Sequence, residues 1–183
     1  MSSARMTRIR KYREEAFSTA ALIAAIIAAR YEDNSPLVAL RQRQDDHLHD
    51  LLHDFAFKSR KLIELASAQG IPAIDWANAQ KIIGFQIRST DSLIQKFEHY
   101  SLWFVLGRLI HSDNLRIVRS PVQLSSDQIQ ITHELPWALV VRSDYDINAQ
   151  KQHFVFIDEL LKSFITLVDQ LDQNLRLTQG SSE

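Results

Sequence analysis

From Phe154 to Leu175 the chain keeps apolar residues at alternating steps of three and four: Phe154, Ile157, Leu161, Phe164, Val168, Leu171 and Leu175. That rhythm follows one face of a helix, and holding it over three heptads demands a long seam against another helix. The pattern predicts a closing helix over about Gln150–Leu177, packed on a second helix of the same chain or on a symmetric copy. Four glycines and four prolines in 183 residues leave few obligatory turns, which favours long helices throughout. The tail, residues 178–183, is small and polar and reads as disordered.

Four further helices are expected. The first runs from about Thr7 to Tyr31, where the alanine rows Ala20/Ala24/Ala28 and Ala21/Ala25/Ala29 flank Leu22, Ile23, Ile26 and Ile27. Alanines four apart let another helix approach closely, either within the core or from a second copy of the chain. Asp33-Asn34-Ser35-Pro36 supplies a break, and Pro36 suits the first position of a second helix that stops at Gly70. A third helix is expected after Pro72, capped by Asp75 and continuing past Leu93. Trp76, Ile83, Ile87, Ile94 and Phe97 would form its buried side, with Gly84 marking a close helix crossing. The fourth, Tyr100 to His111, is apolar nearly all round and belongs at the centre of the molecule or of an interface. Arg108 and His111 close it, where cations complement the helix dipole.

Between residues 115 and 142 the period changes to two. Leu115, Ile117 and Arg119 alternate with Arg116 and Val118, and Ile129 and Ile131 alternate with Gln130 and Thr132. Ala138 to Val141 form a third β-prone run, with turns expected at Ser120-Pro121 and Ser125-Ser126-Asp127. The expected architecture is a mainly α, single domain over residues 1–177: about five helices in a bundle with a small antiparallel β insertion.

Charge and composition exclude several classes. A net charge of −1 gives no protein-wide field for RNA or an anionic membrane. Arg5, Arg8, Arg10, Lys11 and Arg13 before the apolar Ala16–Ala29 stretch resemble a secretory leader. Glu14 and Glu15 interrupt that pattern, and the run is shorter than the roughly 18–20 residues of a membrane span, so a buried helix is expected instead. The absence of cysteine rules out disulfides and thiolate sites and fits the cytoplasm. No phosphate-cradling glycine loop, nucleophile elbow or His-Glu-x-x-His motif is present, and no cofactor is expected.

The densest chemistry lies in Asp45-Asp46-His47-Leu48-His49-Asp50-Leu51-Leu52-His53-Asp54. On a helix Asp46, His49, Asp50 and His53 share one face, almost opposite the stripe of Leu48, Leu51, Leu52 and Phe55. Two imidazoles and two carboxylates so placed are a candidate divalent-metal site. Because they face away from the core, a solvated polar face is the leading expectation and a weak surface metal site the alternative. A buried di-metal bundle would draw its ligands inward from several helices.

The succession of long helices, the apolar helix ending Leu106-Gly107-Arg108-Leu109-Ile110-His111 and the long closing helix resembles the HEPN superfamily (higher eukaryotes and prokaryotes nucleotide-binding). The resemblance is architectural and covers most of the chain. It implies a dimer with a role in defence or stress and, in active members, an Arg and a His four to six residues apart that cut RNA without metal. Arg41 with His47, and Arg43 with His49, match that spacing. In such a site His is the acid or base and Arg steadies the phosphate charge. Residues six apart on a continuous helix point about 120° from each other and lie about 9 Å apart along the axis, so a working pair needs a helix start or kink between them. A non-catalytic, self-associating protein is therefore the leading expectation, with a homodimer or a protein partner ahead of RNA.

Overall fold

The computed structural model describes residues 3–28, 41–88, 94–112, 115–118, 123–126, 129–132, 138–141 and 151–180. The breaks expected at Asp33–Pro36, Ser120-Pro121 and Pro136, and the last residues of the tail, lie outside them. Five helices occur among these residues: α1 (Ser3–Ala28), α2 (Arg41–Ser67), α3 (Ala73–Ala79), α4 (Leu102–Ile110) and α5 (Ile157–Gly180). Seven strands accompany them: β1 (Lys81–Arg88), β2 (Ile94–Ser101), β3 (Arg116–Val118), β4 (Gln123–Ser126), β5 (Ile129–Thr132), β6 (Ala138–Val141) and β7 (Lys151–Phe156). Mainly helical is therefore right, but the sheet is larger than an insertion over 115–142. It has five antiparallel strands in the order β2-β1-β7-β6-β3, and β4 with β5 forms a separate two-stranded ladder. Ser125 and Ser126, expected in a turn, pair with Gln130 and Ile129 in that ladder.

Two helical expectations are corrected. The third helix ends at Ala79, where Gln80 turns extended at φ −63° and ψ 131°, and the chain continues as β1. Asp75 sits in the first turn rather than at the cap, where Pro72 stands; Ser67 Oγ accepts the Ile74 N–H at 3.1 Å instead. Ile83 and Ile87 share a face in a strand as well as in a helix, because four is a multiple of both two and, nearly, 3.6. The closing helix starts at Ile157 rather than near Gln150, since Lys151–Phe156 is taken up by β7. It also runs on to Gly180, one turn past the expected end.

In α2 the apolar pattern is realised as read, whereas Tyr100 and Ser101, expected in the fourth helix, belong to β2, and Leu22 of α1, expected within the core, is exposed. α2 buries Leu48, Leu51, Leu52, Phe55, Leu62, Ile63 and Ala66 and ends before Gly70, whose φ of 82° is the left-handed backbone that glycine adopts without strain. α4 buries Leu102, Val105, Leu106 and Leu109, and its first turn is capped by Ser101 Oγ, which accepts the Phe104 N–H at 3.1 Å. The seam of α5 buries Ile157, Leu161, Phe164, Val168, Leu171 and Leu175, shared among several neighbours rather than one helix. Phe164 meets Phe55 of α2 edge-on at 4.9 Å, and Arg13 of α1 forms a forked pair with Asp172. Ile82, Tyr100, Leu139, Val141 and Val155 carry one sheet face into this same helical core.

Candidate functional site

The acid–histidine run occupies the first half of α2, and the helix is unbroken from Arg41 to Ser67. Positions 41 and 47, and positions 43 and 49, are thus about 120° apart around one helix, with neither a start nor a kink between them. Arg43, Asp46, His47 and Asp50 are exposed, and His49 and His53 half-buried. Among the described residues no group of three or more His, Asp or Glu side chains is placed to hold a metal ion. One member of the run does reach a neighbour. Asp54 Oδ2 accepts from Lys58 and lies 3.2 Å from Thr19 Oγ1 of α1, a part-buried polar tie between the two helices.

The sheet holds a histidine of another kind. Gly84 on β1 lies between two larger residues of the same face: Ile82 pairs with Tyr100 of β2, and Gln86 pairs with His153 of β7. A Cβ at Gly84 would stand 2.3 Å from Phe154 O and 2.6 Å from the Tyr100 ring. The missing side chain lets the Tyr100 ring lie across β1, and its hydroxyl meets His153 Nδ1 at 3.0 Å. Both residues are buried. Phe104 of α4 stacks on Tyr100 with centroids 5.3 Å apart and planes 11° apart, and meets His153 edge-on at 5.6 Å. Arg108 covers Phe104, its guanidinium carbon 4.8 Å from the ring centroid. The result is a cluster of imidazole, phenol, phenyl and guanidinium where the sheet meets α4, with Tyr100 and Phe104 stacked and His153 edge-on to both.

Arg108 and His111, paired by sequence at the helix end, therefore part company. Arg108 turns toward the stack, whereas the exposed His111 joins Phe57, Arg60, Lys61, Glu64 and Ile110 around a cleft of about 250 Å³ between α2 and α4. The guanidinium carbon of Arg60 lies over the Trp103 ring, 3.9 Å from its centroid, beside Gly107, where a Cβ would come 2.9 Å from Arg60 Nη1. A second cleft, of about 300 Å³, opens between α1 and α5 beside Met6, Arg10, Arg13 and Asp172. Arg13 is fully engaged there by Asp172 and Glu14. Its pKa is raised above the ordinary guanidinium value by the hydrogen bond to Asp172, which outweighs the opposing effect of burial.

Neither Tyr100 nor His153, nor the Arg60–Trp103 pair, stands out by sequence spacing. The available signal is the alternation of β7, which sets His153 with Val155 on one face and Phe154 with Phe156 on the other. Among the described residues no helix is long and apolar enough to cross a membrane. Compared with known proteins, the chain matches no family model, no curated protein and no solved structure.

Proposed function

We propose that this protein acts by self-association, as a non-catalytic helical interaction protein in which a second copy covers the outer face of α1. The inner face of that helix buries Ile9, Ala16, Ala20 and Ile23. Its outer face presents Phe17, Ala21, Leu22, Ala25 and Ala28 to solvent, with Phe17 43% and Leu22 53% exposed. Single exposed apolar residues are ordinary, but Phe17, Ala21, Ala25 and Ala28 follow one another at steps of four and three into an apolar patch along the helix, with Leu22 on its flank. This patch carries the reading.

The stripe is also self-complementary. In an antiparallel pair about a two-fold axis at Ala21, Phe17 falls opposite the partner subunit's Ala25, and Ala25 opposite the partner subunit's Phe17. Large then meets small on both sides, as an isologous interface requires, and alanine allows the close approach. The HEPN-like expectation enters here as a non-catalytic, dimerising member of a defence or stress system, supported by α4 and α5. The unbroken α2 under Arg41, Arg43, His47 and His49 favours that reading over RNA cleavage. The cysteine-free sequence fits a cytoplasmic setting.

Sedimentation analysis of the purified chain tests this. The wild type is expected to dimerise with a Kd at or below about 10 μM, and Leu22→Glu and Ala25→Glu each to give monomers with unchanged circular dichroism. A wild type that stays monomeric at about ten times that concentration, or variants that dimerise as well as it does, overturns the proposal.

A further inference from the structure

The cleft between α2 and α4 brings together a preorganised cation, a second cation on a flexible stem, and apolar walls. The guanidinium carbon of Arg60 sits 3.9 Å from the centre of the Trp103 ring, and Gly107 provides the room for it to lie there. A guanidinium is a planar, preorganised fork, so less freedom is lost when it meets an oxyanion. Lys61 stands one residue on. Phe57, 52% exposed, and Ile110 form the walls, and His111 closes the far end. The α1–α5 cleft lacks this arrangement, because its inner cation, Arg13, is already clamped by Asp172.

We propose that the α2–α4 cleft is a binding site for a small aryl oxyanion, a single flat apolar ring carrying a phosphate or carboxylate group. Arg60 and Lys61 bind the oxyanion, and Phe57 packs against the ring. At about 250 Å³ the cleft falls below the roughly 300–1,000 Å³ of sites for drug-sized ligands, which suits one ring and one charged group. Glu64 offers its own carboxylate to both cations. Its Oε2 lies 3.2 Å from Lys61 Nζ, and its Oε1 lies 3.9 Å from Arg60 Nε. Both pairs are partly solvated, and such pairs are worth only about 0–1 kcal/mol, so an incoming oxyanion displaces Glu64 readily. Two cations face one acid, leaving charge for a ligand to neutralise.

Phenyl phosphate, benzoate, inorganic phosphate and phenol are titrated into the full-length protein, with the amide of Gly107 and the indole of Trp103 followed by NMR. Phenyl phosphate or benzoate is expected to saturate both signals with a Kd at or below about 1 mM. Inorganic phosphate and phenol each bind about tenfold more weakly, having one half of the recognition apiece. Lys61→Gln, which leaves the Arg60–Trp103 contact intact, weakens binding about tenfold, and Arg60→Gln does at least as much. Glu64→Gln tightens it about threefold, a gain that a purely structural role for Glu64 would not produce. No saturable shift with either aryl oxyanion, equal affinity for phosphate alone, or undiminished affinity in Lys61→Gln overturns the proposal.

Discussion

His47, His49 and His53 crowd into one short run of α2, whereas His153 stands alone in β7, and the two regions invert what the sequence suggests. The crowded histidines project from the outward face of a helix whose other face buries Leu48, Leu51, Leu52 and Phe55. The solitary one is buried, bonded to Tyr100 and enclosed by Phe104. Density along a chain becomes density in space only where the local period turns side chains toward each other. A helix fans neighbours apart by about 100° per residue. Three strands side by side brought two distant residues within 3.0 Å because a glycine lay between them.

The contrast can be broken at its centre. Gly84→Ala is expected to have the largest effect, a loss of about 3 kcal/mol in urea unfolding, because the new methyl meets backbone as well as a ring. A neutral result would mean that the crossing of Tyr100 over β1 is not needed. Tyr100→Phe removes only the hydroxyl and is expected to lower stability by about 1–2 kcal/mol, the scale of a buried hydrogen bond. Wild-type stability in that variant would reduce the His153 pair to a coincidence of packing. The smallest effects fall on α2. Asp54→Ala, which severs the tie to Thr19 and Lys58, should cost about 0.5–1 kcal/mol. The double change His49→Ala/His53→Ala should stay within about 0.5 kcal/mol, with the same melting temperature with or without chelator. A melt that falls on adding chelator would restore the metal reading of this run and erase the contrast.

The helices were legible where one face alone is buried. α2 and α5 have wide polar sides, so the 3.6-residue rhythm stands out, and Gly70 marks the end of the first of these. The sheet was legible only in part: the runs read at Leu115–Arg119, Ile129–Thr132 and Ala138–Val141 contain β3, β5 and β6, whereas β1, β2 and β7 were read as helix. β7 buries Val155 and Phe156 on opposite faces, so the alternation that signals a strand is lost there. Ile83, Ile87, Ile94 and Phe97 mimicked a helix across two strands, and Phe154 happened to fall in phase with the seam of α5. Gly84 was recognised as a close approach, but of strand and ring rather than of helices. Arg60 and Trp103 lie in different helices, and no spacing rule links them. Only the fold puts one over the other.

The order β2-β1-β7-β6-β3 places the latest strand of the chain between two earlier ladders. β1 can pair with β2, and β3 with β6, as soon as each partner has been synthesised, leaving two half-sheets with open edges. Lys151–Phe156 then closes both at once, pairing β1 on one side and β6 on the other. Such long-range closure is slow and leaves those edges open to mispairing until it occurs. The strand that acts as this clasp also delivers His153 to Tyr100, so their hydrogen bond forms only once β7 has paired with β1.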